Sequence, residues 1–352
     1  MIQVEKQVFG KLNKCYSVAP LHYRGQDHLL VAAEKTDPCL LFTLDGCQVD
    51  QIWDGPGGTM SMVQVPGSDG VFLATQLFYS PNDSARAKIV IVTPGETGWS
   101  VRTLVELPFV HRFDIVESGG RHHLIACTLK SDHHEKDDWT HPGKVYAAIL
   151  PEDLSPYNEE HQLPLRILKE GLYKNHGYYK IQAEGGYHCI VSTDNGIFRF
   201  VPPAAEQSDW SIECLLEEPA SDAALVDLDD DGEDELAVIS PFHGDEIKIY
   251  KNMDGRFRKV YEYEPKAPFS HSLYAGELCG RKRLVVGHRQ GSRDLLVFTF
   301  DHQQRTYQVQ KLDRDCGSAN VFRFVKDKAD YLLSTNRETD EIALYRLTEM
   351  TV

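Results

Sequence analysis

The residues that could do chemistry in this sequence are histidines, a few arginines and one acidic nonapeptide. His111, His176 and His271 each stand at the head of a short apolar run (HRFDIVE, HGYYKIQ, HSLYAGE), and His243 and His288 sit in the turns PFHGDE and GHRQGSRD. Neutral imidazoles accept protons near pH 7 and are common ligands for transition metals. Brought together, His111, His176 and His271 could hold a divalent ion such as Zn²⁺ or Mn²⁺ with one position open. Without metal the same set, with His243 and His288 in support, could act as general acid and base. Arg289, and beside it Arg293, suit a substrate carboxylate, because a guanidinium fork matches its two oxygens.

The acidic run Asp227-Leu-Asp229-Asp-Asp231-Gly232-Glu233-Asp-Glu235 is the most specific motif. Carboxylates at positions 1, 3, 5 and 9, a backbone carbonyl at position 7 (Glu233) and Gly at position 6 suit a hard cation such as Ca²⁺. The bidentate Glu of an EF-hand is missing, since Val238 takes its place. A structural Ca²⁺ site is one reading, and a solvated acidic turn is the other.

What must position these groups is an all-β chain. No long i, i+3, i+4, i+7 apolar stripe occurs, whereas runs such as HLLVAAE, KIVIVTP, HHLIACT, ELAVISP and RLVVGHR recur between Gly, Asp, Asn and Pro. Aligning them gives repeat starts at Tyr16, Thr59, His111, His176, Ala223, His271 and Ser318, a spacing near that of a four-stranded propeller blade. The spacing predicts a single seven-bladed β-propeller over residues 1–352. After Ser318 only three strands fit, so residues 2–9 are expected to complete the last blade and close the ring, covering an exposed strand edge. A β-sandwich or two stacked β domains is the architectural alternative.

In such a blade the first strand lines the central channel, and its start shares a face with the loop between the second and third strands. His111, His176 and His271 then converge on one channel mouth with His243, His288, Arg289 and Arg293. Asn336, Arg337, Glu34, Lys35, Gln76 and Tyr79 face them. The longest interval, from His111 to His176, carries the insertions KSDHHEKDDWTHPG and PEDLSPYNEEHQLPL. In the first, Trp139 could stack on a sugar ring, Asp138 could bind hydroxyls, and Lys130 adds a cation; a solvated charged loop is the alternative.

The acidic loop resembles the FG-GAP/VCBS class of propeller repeats, whose D-x-D-x-D-G-x-x-[DE] loops bind Ca²⁺ between the first two strands of a blade. The match covers residues 221–250; the corresponding turns elsewhere (SGGRH, EGGYH, CGRKR) lack the carboxylates. The architecture with a His-rich mouth is also similar to seven-bladed carbohydrate lyases and to aldos-2-ulose dehydratase. That resemblance implies an elimination on a sugar, oligosaccharide or sugar acid, with metal or arginine steadying an enolate.

Composition narrows the setting. With 37 Lys+Arg against 53 Asp+Glu in 352 residues, the net charge of −16 disfavours nucleic acid and anionic membrane as partners. No transmembrane-length apolar segment occurs, and the eight cysteines include no CxxC pair, which together point to a cytoplasmic protein with free thiols. Two other functions stay open. A non-catalytic propeller binding protein or glycan would show a broad apolar face. A glycoside hydrolase would need paired carboxylates, and Glu34, Asp132, Asp194 and Asp245 form no evident pair.

Overall fold

Polar and charged turns break the chain into strands short enough to pair with their sequence neighbours, and hairpins therefore dominate. The structure, a computed structural model, describes residues 1–205 and 209–350. These contain 28 strands and no helix. Strand β1 (Ile2–Lys11) leads into a first meander of β2 (Cys15–Tyr23), β3 (Gln26–Ala33), β4 (Cys39–Thr43) and β5 (Gln48–Trp53). The second holds β6 (Met62–Gln64), β7 (Phe72–Gln76), β8 (Lys88–Pro94) and β9 (Trp99–Glu106). Next come β10 (Val110–Ser118), β11 (Arg121–Thr128), β12 (Gly143–Ile149) and β13 (Arg166–Leu172). They are followed by β14 (Gly177–Ala183), β15 (Gly186–Thr193), β16 (Gly196–Val201) and β17 (Ser211–Leu216). A single pairing, Ser118 with Gly186, links these two meanders.

The remaining sheets are β18 (Asp222–Val226), β19 (Glu235–Ser240), β20 (Glu246–Met253) and β21 (Arg256–Glu262), then β22 (Ser270–Leu278), β23 (Arg281–His288), β24 (Leu295–Asp301) and β25 (Thr306–Asp313). The last is β26 (Ser318–Lys326), β27 (Ala329–Asn336) and β28 (Glu341–Glu349), with β1 as its fourth strand. β1 runs antiparallel to β28, from Ile2 opposite Glu349 to Lys11 opposite Glu341. The all-β arrangement of four-stranded meanders is consistent with a β-propeller.

Second strands such as β3, β7, β19 and β23 read as continuous apolar runs because both of their faces are covered. One apolar cluster fills each gap between consecutive sheets. Leu21, Leu30 and Leu41 meet Phe72, Val90 and Val92, and Leu29, Val31 and Phe42 meet Leu333, Ile342 and Leu344 across the first-to-last gap. The first strands touch in cyclic order, β2 with β6 and onward to β26, which touches β2. All eight cysteines are free; Cys47 and Cys214 are exposed and Cys279 is half-buried. Among the described residues no helix is long and apolar enough to cross a membrane.

The start of the first strand has a recurring local geometry. In β2, β10, β22 and β26 the pairing skips one residue, so Tyr16, His111, His271 and Ala319 are extra residues in a bulge. Two positions earlier the backbone turns left-handed, at Lys14, Phe109, Phe269 and Gly317 respectively. Lys174 does the same two residues before His176, and Gly58 before Met60. Such bulges re-aim a side chain, here toward the common axis of the sheets. The aligned frame is displaced in three repeats: Met60, Ser221 and Ala319 hold the axial place instead of Thr59, Ala223 and Ser318.

Deleting residues 1–11 uncovers the β28 edge and the apolar surface over which Ile2 is buried. The expected result is a melting temperature lower by on the order of 10 °C and aggregation on heating. Thermal denaturation monitored with light scattering checks this.

Candidate functional site

Three of the axial histidines tie each sheet to the next. His111 Nδ1 donates to the His176 carbonyl (3.2 Å), and His271 Nδ1 to the Ala319 carbonyl (2.7 Å). His176 Nδ1 lies 3.2 Å from the Ser221 carbonyl and 3.0 Å from Asp222 Oδ2, which also accepts from Ser221 Oγ (3.1 Å). Gly177 permits this approach, because a Cβ there would lie 2.4 Å from the Ser221 oxygen. With Nδ1 carrying the proton, the Nε2 lone pairs of His176 and His271 are left for other partners. His243 Nε2 reaches His176 Nε2 at 3.3 Å, and the Tyr16 hydroxyl donates to His271 Nε2 at 2.9 Å.

The result is a buried imidazole cluster. His111 and His176 ring centres lie 4.6 Å apart, His176 and His271 5.3 Å, and His243 and His271 5.6 Å. His243 enters from the loop between β19 and β20, with its backbone left-handed (φ 49°) and its ring stacked between Phe242 and Phe269. Burial, reinforced by neighbouring His176 and arginine charges, holds His111, His243 and His271 well below the ordinary imidazole range. These three are therefore neutral at pH 7 and suited to accept a proton or ligate a metal. The ligand atoms of His176, His243 and His271 lie within 4.8 Å of one another; this set contains His243 where the sequence pointed to His111.

The cluster does not open broadly onto the loop face. Phe78 packs on His111, and Phe242 and Phe269 cover His176 and His243. Above them Arg289 lies 4.7 Å over the Phe269 ring and binds Glu338 at 2.8–2.9 Å. Glu338 also pairs with Arg337 (2.8 Å), which binds Glu34 in turn. Space is found instead along the axis toward the far ends of the first strands. A cavity of about 470 Å³ is lined there by His271 and Asp222 together with Arg112, Asp114, Lys180 and Asn320.

Several residues picked out by sequence are occupied elsewhere. His288 donates from Nδ1 to the Gln290 carbonyl (2.8 Å) and accepts the Asp294 N–H at Nε2 (3.0 Å), so both ring nitrogens serve its own turn. Arg293 is held by Asp315 (2.7 Å). Trp139 packs on Phe242 (5.2 Å), and Lys130 lies 4.4 Å from its ring while bonding the Asp138 carbonyl and Asn82. Asp138 accepts from Thr140 and from the His134 N–H, which holds its carboxyl below the usual range.

In the acidic loop Asp227, Asp229 and Glu235 bring oxygens within 4.8 Å of one another. The Lys251 ammonium, from β20, lies 2.5 Å from Asp229 and Asp231 and 3.3 Å from Glu235. Asp227 accepts the Asp231 and Gly232 N–H groups, and the Glu233 N–H donates to Asp231.

Sequence reasoning missed Tyr16, Asp222 and Arg112. Tyr16 carried a signal, since it heads a repeat exactly as the histidines do, and Asp222 lies one residue from another repeat start. Arg112 follows His111 but looked like an ordinary strand residue.

No protein-family model matches the chain, and no curated protein matches it. The fold does have solved counterparts. Selenomethionine-substituted virginiamycin B lyase from Staphylococcus aureus matches with a TM-score of 0.60 at 12% identity, over 99% of this chain and 100% of that one. A catalytically inactive His-to-Ala variant of the same lyase, solved with quinupristin, matches with a TM-score of 0.60 at 13% identity and the same coverage. The likeness is one of fold.

Burial pushes the Glu235 carboxyl up to about 7 from an ordinary 4.5, against the Leu228 N–H bond that favours its charge. Between those values the folded protein binds more protons than the unfolded chain, so Glu235 makes stability fall as pH rises through that window. Comparing melting temperatures of wild type and Glu235→Gln from pH 5 to 8 tests this. The wild type should lose stability relative to the variant up to about pH 7, and no further above it.

Proposed function

We propose that this chain is a lyase-type enzyme in which the axial histidines remove a proton and a neighbouring leaving group is eliminated. In this reading the four-stranded sheets are seven blades of one ring closed by β1, and their shared axis holds the reactive centre. The observation that carries it is the His271–Tyr16 pair, with His271 lining the axial cavity and neutral at pH 7. The fold counterparts add support, since they are lyases, one of them inactivated by loss of a histidine.

The step balances on these two side chains. As substrate enters, the Tyr16 hydroxyl leaves Nε2, and that lone pair takes a proton from carbon. The C–H electron pair becomes the new double bond, and the bond to the leaving group breaks. The Tyr16 phenol, whose pKa burial raises, places its proton on the departing atom. Imidazolium and phenolate then exchange a proton across their 2.9 Å contact and both return to neutral.

The convergence of His176, His243 and His271 supports an alternative in which these imidazoles would hold a metal, His271 Nε2 then serving as a ligand and not as the base. Asp222 and the Ala319 carbonyl fix two of the three imidazoles through Nδ1, the support that metal-binding histidines use. A bound Zn²⁺ or Mn²⁺ would supply Lewis-acid stabilisation of an enolate. A panel of 3-hydroxy and 3-amino carboxylates, aldonates and quinupristin, followed by ultraviolet absorbance of unsaturated products, tests the activity. His271→Ala should lower turnover about 10²–10⁴-fold. Metal analysis separates the versions: stoichiometric transition metal lost in His176→Ala supports assistance by metal, and full turnover without it leaves acid–base chemistry alone.

For the acidic loop, Ca²⁺ remains a proposal supported by the oxygen spacing of Asp227, Asp229 and Glu235. The ion would have to displace Lys251. Calorimetric titration should therefore find tighter Ca²⁺ binding to Lys251→Met than to the wild type, and equal absence of binding in both would remove calcium from the account.

A further inference from the structure

We infer that the axial cavity takes a small carboxylate with an apolar body, and that Arg112 binds its charge. The inference rests on the reading of this cavity as the substrate chamber.

Arg112 differs from the other arginines near the cluster. Arg289, Arg337 and Arg293 each hold a protein carboxylate. The half-buried Arg112 guanidinium donates one bond, from Nη1 to the Met60 carbonyl (2.8 Å), and lies 5.8 Å from the Tyr16 ring. Among the described residues it has no ion pair, and its Nε and Nη2 donate to no protein acceptor. A partly desolvated cation without a counter-charge is costly, and a planar fork with spare donors matches a carboxylate.

Several other polar groups of the cavity are already satisfied. Lys180 binds Asp114 (3.1 Å) and the Ile115 carbonyl (2.7 Å). Asp222 is held by His176 and Ser221, and Asn320 Nδ2 by the Tyr16 carbonyl (2.8 Å). The Tyr179 hydroxyl both donates to and accepts from Ala275. The wall also carries the apolar Val18, Val63, Leu273, Phe322 and the Tyr179 ring, beside the Tyr178 hydroxyl, which has no hydrogen-bond partner among the described residues. An aryl or alkyl body would find a matching surface along these side chains.

Occupancy also changes the chemistry. Arg112, bound to the substrate carboxylate, spreads the negative charge that develops when a proton leaves the adjacent carbon.

The test measures binding of 3-phenylpropionate, its neutral isostere 3-phenylpropanamide, and glucuronate, by saturation-transfer NMR and calorimetry. Wild type should bind phenylpropionate at least about 10-fold more tightly than the amide or glucuronate. Arg112→Gln should erase the preference for acid over amide. Arg112→Lys, which keeps charge without the fork and guards against a misfolded Gln variant, should retain part of it. Equal binding of acid and amide, no phenylpropionate binding at millimolar concentration, an unchanged preference in both variants, or tighter glucuronate binding each overturns the inference. Arg112-dependent binding of phenylpropionate together with no turnover across the lyase panel would leave the anion site standing and remove the lyase reading. His271-dependent turnover of neutral substrates alone would do the reverse.

Discussion

The hydrogen bond from an axial imidazole Nδ1 to a carbonyl of the next sheet is the contact on which the site depends. It joins sheets whose remaining contacts are mostly apolar and directionless, so it fixes how their inner edges meet. The same bond selects the tautomer. In a neutral ring whose Nδ1 is the donor, Nε2 is a lone pair directed at whatever else occupies the axis, and at His176 and His271 that means His243 and Tyr16. In the proposed lyase reading, a stitch between sheets and a poised base are one arrangement viewed from two ends of a ring.

Charge is distributed accordingly. On the loop face Glu34, Arg337, Glu338 and Arg289 form a chain of alternating sign that covers the aromatic layer and neutralises itself. On the axial side His111, His243 and His271 are neutral, Lys180 and Asp114 cancel, His176 bonds Asp222, and among the described residues Arg112 has no counter-ion. The protein is acidic overall, yet among the described residues Arg112 faces the central cavity without an ion pair, while the Asp222 carboxylate there is held by His176 and Ser221. That contrast directs attention to the axial cavity instead of the loop mouth.

The strands and their repeat were legible because second strands covered on both faces must be continuous apolar runs, and because Gly and Asp turns separate them. The shared place of His111, His176 and His271 was legible for the same reason, since a left-handed residue two positions earlier, recurring in six repeats, puts each at a fixed point in the frame. His243 was also readable, as its turn lies on the face where the first strands start. What sequence could not convey was compensation. Whether Arg289 or Arg112 is spent on a protein carboxylate depends on Glu338, 49 positions from Arg289 in the chain. His288 and Arg293 looked equivalent to their neighbours until Asp294 and Asp315 engaged them. Lys251, on the strand after the acidic loop, likewise entered its carboxylates without any local signal.

The central claim is that the stitching bonds leave Nε2 of His176 and His271 unprotonated and facing the reactive axis. Long-range ¹H–¹⁵N correlation spectra of uniformly ¹⁵N-labelled protein at pH 7 report imidazole tautomers directly. The account predicts that both rings carry their proton on Nδ1, with Nε2 at the shift of an unprotonated, hydrogen-bonded nitrogen. Finding the proton on Nε2 of either ring would contradict it.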